Sequence, residues 1–233
     1  MTKTIVLISA NAEWRAVRPL FPQANIEHTP FGETFLAELS AAPFRPGGAG
    51  PVRFVHGGWG KIAAAASTQY AIDRWAPELL VNLGTCGGFH GQIERGEIVL
   101  AEKTIVYDIF EQMGDLDEHI AHYSTALDLS WLPDPPPTPV RRTLLVSGDR
   151  DLVVEEAPEL VRRYGAAAGD WESGAIAWTA ARSGVRLLIL RGVTDLVSAA
   201  GNETYGNIGL FEQAAAEIMR ELVESLPGWV TRP

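Results

Sequence analysis

Apolar residues along this chain follow two periods in turn. A short, continuously apolar and β-branched run at Thr4–Ser9 predicts a strand covered on both faces, Leu79–Leu83 and Val185–Leu190 predict buried strands, and Val52–His56 and Arg142–Ser147 predict further strands. Between them the spacing turns helical: Trp14, Val17 and Leu20 or Phe21 within Glu13–Leu20, an Ala-rich Ile62–Trp75, Glu155–Tyr164 and Gly174–Arg182. A last helix is predicted over Ile208–Leu226, with Phe211, Ala215, Ile218, Leu222 and Leu226 on one face and Pro227-Gly228 closing it. Glu33–Leu39 alternates as a strand does, and Gly96–Ile109 is expected to form a bent pair of β segments. Pro43–Pro51 is turn-rich, Phe110–Ser124 is expected to be a polar, acidic loop, and Pro133–Pro139 is stiff and extended. Residues on both sides of that proline run serve one sheet, so residues 1–233 are expected to form a single α/β domain without internal repeats.

Composition narrows the partners. With 46% hydrophobic and 21% charged residues the chain is expected to bury an ordinary core, which excludes disorder and coiled coil. A formal charge of -10, with no basic cluster to offset it, disfavours nucleic acid and anionic membrane surfaces. The apolar run Ile5–Ile8 falls short of a signal-peptide core of about 7 residues, and none approaches the roughly 18 residues of a membrane span. The single Cys86 excludes an internal disulfide, and a cytoplasmic location is expected.

The candidate chemistry centres on Gly169–Ser198, read as a turn at Gly169, Glu172 at a helix start, a strand, and Asp195 just past that strand's end. Ligands of open α/β sheets bind beyond the carboxyl ends of strands, so two acids delivered there are worth explaining. Helix dipoles favour an acid in a first turn without any function, and Asp195 has the bland alternative of capping a turn. Its setting, Thr-Asp-Leu-Val, penalises an ionised group unless it is paired or takes up a proton. Glu13 lies in the first turn of a helix after the first strand, at the same sheet edge. Gly84-Thr85-Cys86-Gly87-Gly88 is expected to be a loop whose amides can approach oxygens, or else a plain turn.

Other motifs are weaker. Gly58-x-Gly60-x-x-Ala63 follows a strand and opens a helix, but Asn82 and Leu83 stand where a dinucleotide site needs an acid; tight glycine packing explains it better. A Walker loop fails at Val55 and Ile62. His119-x-x-His122 lacks a third ligand, so neither a metal nor a cofactor is expected. Cys86 has no His near it in sequence and is read as a small buried residue.

Acids at several strand ends suit glycosidic cleavage, where one protonates the leaving group and another activates water. The segments GGWGKIAAA, LVNLGTCGG, GDWESGAIA and LRGVTDL, in this order, resemble the nucleoside phosphorylase and nucleosidase superfamily, closest to the bacterial methylthioadenosine/S-adenosylhomocysteine nucleosidases. The resemblance implies a three-layer α/β/α fold with a mixed, partly barrel-like central sheet, a nucleoside substrate and a homodimer. It implies that Asp195 protonates the purine at N7, Glu172 grips the ribose hydroxyls, and Glu13 activates water with Arg191 as a nearby helper. Trp171 would pack beneath the sugar, with Thr85, Cys86, Gly87 and Gly88 around the water. Where relatives place a stacking Phe, this chain has Asp151-Leu152-Val153, leaving Leu152 or Val153 as an apolar wall. The arginines that hold phosphate in phosphorylases are replaced at both places, by Asn82 and by Ser9–Glu13, which favours hydrolysis. Arg15 as a substitute keeps a phosphorylase open, as does a catalytically silent nucleoside-binding protein on the same fold.

Overall fold

The first strand, β1 (Thr4–Ile8), carries buried side chains on both faces and so sits between two helical layers. The computed structural model describes residues 3–39, 50–198, 201–202, 204 and 206–230. After β1 come α1 (Asn11–Val17) with a 3₁₀ turn at Arg18–Leu20, β2 (Glu27–His28), β3 (Glu33–Glu38), β4 (Pro51–His56) and α2 (Lys61–Trp75). The middle holds β5 (Leu79–Phe89), β6 (Ile98–Val106), α3 (Leu116–His122), β7 (Ser124–Ala126) and β8 (Arg141–Ser147). Then follow α4 (Ala157–Tyr164), β9 (Ala168–Asp170), α5 (Ser173–Arg182), β10 (Arg186–Ser198), β11 (Gly201–Asn202) and α6 (Ile208–Val230).

One face of β1 (Val6, Ile8) packs with Trp14 and Val17 of α1 and Ile218, Met219 and Leu222 of α6. The other (Ile5, Leu7) packs with Ala64 and Ala71 of α2 and Ala175, Ile176 and Ala180 of α5. The small side chains on α2 and α5 allow close approach to the sheet, and the outcome is a three-layer α/β/α fold. In the sheet, β5, β1 and β4 are parallel and β3 and β2 extend one wing antiparallel. On the other side β5, β10, β6, β8 and β9 pair in a ring, because β9 bonds both β8 and β5. This closed, mixed, barrel-like half leaves no free edge among its members.

The ring corrects several sequence expectations. Gly84–Gly88 is not a loop: β5 runs through it to Phe89, paired to β10 and, at Gly87 and Gly88, to β9. Asp195 lies inside β10, where the pairing with β5 shifts register between Val193 and Asp195, rather than past the strand's end. A bulge turns local side chains off the regular alternation. Gly169 belongs to β9 and is no turn. Gly96–Ile109 holds one strand, β6, whose pairing with β8 shifts between Ala101 and Lys103, in place of a bent pair. Phe110–Ser124 contains α3, started by Asp115, whose side chain accepts from the Asp117 amide. The last helix continues through Pro227 to Val230, and doing so buries Trp229. Residues 40–49, most of the turn-rich Pro43–Pro51, lie outside the described ones. Among the described residues no helix is long and apolar enough to cross a membrane.

Candidate active site

Three elements bring carboxylates to one place because each ends, or bulges, at the same rim of the sheet. Glu13 sits in the first turn of α1, directly after β1, and its Oε2 accepts the Ala10 amide at 3.2 Å. Its Oε1 accepts both the amide and the hydroxyl of Thr85 on β5, at 2.6 and 2.9 Å. Glu172 stands at the N-terminal end of α5, and its side chain accepts the Gly60 amide at 3.1 Å. Gly60 has φ +84, a backbone shape that suits glycine, and the Lys61 amide beside it donates to Asp149 at 2.7 Å. The glycine motif before α2 thus has two jobs: Gly57 packs against Leu7 and Ser67, and Gly60 presents its amide to Glu172.

Arg191 organises the carboxylates from behind. It is fully buried, with Nε 3.0 Å from Asp170, Nη2 3.6 Å from Glu172 and Nη1 3.7 Å from Glu13. The guanidinium also donates to Ser173 Oγ, the Thr85 carbonyl and, at 2.8 Å, Asn82 Oδ1. The room for it comes from Gly84, where a methyl would lie 2.1 Å from Nη1. Asn82 in turn donates to the Leu7 carbonyl. The position where a dinucleotide site would hold an acid therefore anchors an arginine.

One cation facing several buried acids leaves negative charge uncompensated. Burial raises the pKa of Glu13, against the pull of Arg191 and the Thr85 bonds. Burial likewise raises Glu172 to about 8, with Arg191 opposing and Asp170 and Glu13 adding to the rise. The folded protein thus holds a proton that the unfolded chain releases from about pH 4.5 upward. Stability drawn from this group is present at low pH and lost as pH rises through its folded value. Glu172→Gln, which mimics the protonated acid, is expected to gain in melting temperature relative to wild type between pH 5.5 and 8.5; a constant difference would contradict the shift.

These groups face a cavity of about 910 Å³. Glu13, Thr85, Cys86, Gly87, Asp170, Trp171, Glu172, Thr194 and Asp195 line it; Leu152 and Asp151 form another part of the wall. Val153 is not among its lining residues, and Arg191 stands behind the carboxylates. Asp195 is buried; its Oδ1 accepts the Thr194 hydroxyl at 2.5 Å, and Gly87 lies between it and Leu152. Trp171 meets Trp59 edge to face at 5.9 Å, and both line the cavity. Cys86 is buried 3.7 Å from the Gly192 carbonyl, and burial pushes its thiol well above the usual range, which suits no nucleophile. His119 lies 3.4 Å from Glu111, and His122 rests against Tyr123 and Trp178, away from the cavity wall.

Sequence reasoning passed over Asp170, although it adjoins Glu172. Its carboxylate takes Ser147 Oγ at 2.6 Å, the amides of Glu172 and Ser173, and the Ser173 hydroxyl, besides Arg191. The legible signal was an Asp placed to accept the first amides of the following helix. Trp59, Phe211 and Ile208 on the wall carried no such signal, since an aromatic or aliphatic residue near a helix start reads as core.

The chain matches the family described as the Phosphorylase superfamily over residues 4–226. A 5'-methylthioadenosine/S-adenosylhomocysteine nucleosidase of Thermotoga maritima is 28% identical over 156 residues, 62% of this chain and 64% of that protein. One of a Geobacillus species is 25% identical over 212 residues, 83% of this chain and 87% of its own length. The crystal structure of the Neisseria meningitidis nucleosidase of that name, in complex with methylthio-immucillin-A, superposes with a TM-score of 0.75 at 21% identity, covering 97% of this chain and 99% of that one.

Proposed function

This chain belongs to the Phosphorylase superfamily, and from that premise we propose that it is a purine nucleoside N-glycosidase that uses water, with methylthioadenosine, S-adenosylhomocysteine or a related adenine nucleoside as substrate. The observation that carries the reading is the sharing of one cavity wall by Glu13, Glu172 and Asp195, which the sequence keeps far apart.

In this reading Asp195 hands a proton to the leaving base as the glycosidic bond stretches, and charge builds on the sugar. Glu172 accepts hydrogen bonds from the ribose hydroxyls, and Trp171 packs against the ring. Glu13 takes a proton from the attacking water, which forms the new bond to the sugar carbon. A carboxylate whose proton affinity is raised by burial suits that task near neutral pH. Arg191 acts through the acids it holds, as a positioning residue. Leu152 with Gly87 supplies the apolar wall of the base, next to Asp195.

Water is favoured over phosphate by charge. The floor presents carboxylates, and its arginine is already surrounded by them. Arg15 stands at the rim, 2.7 Å from Glu212. A phosphate dianion beside Glu13 would meet carboxylate charge, and the nearest guanidinium is already shared among Glu13, Asp170 and Glu172. Incubating the protein with methylthioadenosine, adenosylhomocysteine, adenosine, inosine and a pyrimidine nucleoside, with and without phosphate, is expected to release purine base equally in both arms. A strict phosphate requirement, or no base from any of them, overturns the reading. The same reading extends to a cytoplasmic homodimer, for which the exposed Phe110 and Met113 offer apolar surface; sedimentation of the full chain as a monomer would remove that part.

A further inference from the structure

Beyond the floor, the cavity has a rim that the proposed chemistry does not use. Among the described lining residues Arg15 is the only Lys or Arg, against Glu13, Asp151, Asp170, Glu172 and Asp195. Its side chain is 62% exposed, and the carboxylate it pairs with, Glu212, is 47% exposed on α6. An exposed pair of this kind holds its members weakly. Glu212 is one helical turn beyond Ile208, so both project from the same side of α6. Ile208 and Phe211 line the cavity there and make the surface beside Arg15 apolar.

The nucleosidase reading, on which this inference rests, distributes the substrate. The base goes to Asp195, the ribose hydroxyls to Glu172, and the reacting carbon faces Glu13. The group left over is the 5' substituent, and among the parts of the wall left over the rim of Arg15, Ile208 and Phe211 is the one that carries a cation. We infer that Arg15 reads an acidic group at the end of the 5' substituent. An apolar linker lies on Ile208 and Phe211, and the terminal carboxylate displaces Glu212 from the guanidinium, whose planar fork donates to both carboxylate oxygens. Because the base and ribose are already held, the carboxylate competes as an intramolecular partner against a single surface glutamate.

The probe is a pair of adenosine 5'-thioethers that differ only in ending in a carboxylate or the matching carboxamide. Binding is measured by calorimetry at low salt, and kcat/KM by base release. Wild type is expected to prefer the acid by about twofold to fivefold, the scale of one exposed ion pair. Arg15→Gln is expected to bring the acid-to-amide ratio to about one, while Arg15→Lys, which keeps charge but loses the fork, falls between. Glu212→Gln removes the internal competitor and raises the ratio. Equal binding of acid and amide by wild type, or a preference that survives Arg15→Gln, overturns the inference. If no purine nucleoside is cleaved, the nucleosidase reading fails, and the calorimetric ratio still decides this one.

Discussion

Asp195→Asn is expected to cut turnover by roughly 10² to 10⁴ while leaving the melting temperature close to wild type. The reasoning is steric and chemical together. Asn has the shape of the protonated acid and keeps an oxygen for the Thr194 hydroxyl at 2.5 Å, so the bulge in β10 retains its local bond. What Asn lacks is a proton it can give up to a leaving base. Without that proton the base must depart as an anion from a cavity wall already rich in carboxylates, and the barrier rises accordingly. The measurement is kcat by chromatography of the free base, with thermal unfolding alongside. Wild-type turnover by a folded Asn variant would remove Asp195 from the mechanism, and a collapsed melting temperature would show that its role is structural.

Arg191→Met is expected to produce the largest loss of stability, about 3 to 5 kcal/mol, because it removes one partner of a buried charge cluster and leaves the others unpaired. For a chain of this size that corresponds to a fall in melting temperature of roughly 6 to 20 °C. Asp170 at 3.0 Å, Glu172 at 3.6 Å and Glu13 at 3.7 Å all lose the cation they share, and Asn82 and the Thr85 carbonyl lose a donor. The carboxylates have an escape, which is to take up protons. The deficit of the variant is therefore expected to shrink as pH falls and to grow as pH rises, the share of Glu172 appearing as pH passes through about 8, the value to which it is pushed with Arg191 in place. A small, pH-independent loss in thermal or denaturant unfolding would mean that Arg191 merely fills space.

Together the two substitutions separate the groups that meet the substrate from the group that arranges them. Asp195 touches the reacting bond in the proposed mechanism, and its replacement changes rate. Arg191 touches the acids, and its replacement changes what can be buried charged. The glycine at position 84 belongs to the second class, since its missing side chain is the space that the guanidinium occupies.

Much of this was present in the linear pattern. A continuous apolar run marked β1, and short runs rich in apolar residues marked β4, β8 and the first halves of β5 and β10, because most of their side chains are buried. Helical periodicity marked α1, α2, α5 and α6, and acids at helix starts marked Glu13 and Glu172, since strand-to-helix junctions in such folds share one rim. Local pattern failed where pairing partners decide the structure. Gly84–Gly88 and Leu196–Ser198 extend as strand only because β9, β10 and β5 close on one another, and no window of sequence contains both sides of that ring. The role of Arg191 is likewise a product of closure. An arginine in a buried strand is improbable until Asp170, Glu172 and Glu13 arrive from separate segments to compensate it. The chain by itself determined which residues are apolar, which are acidic and where helices begin; the tertiary structure alone decided which charges become neighbours, because desolvation and Coulomb energy depend on distances in space that sequence separation does not encode.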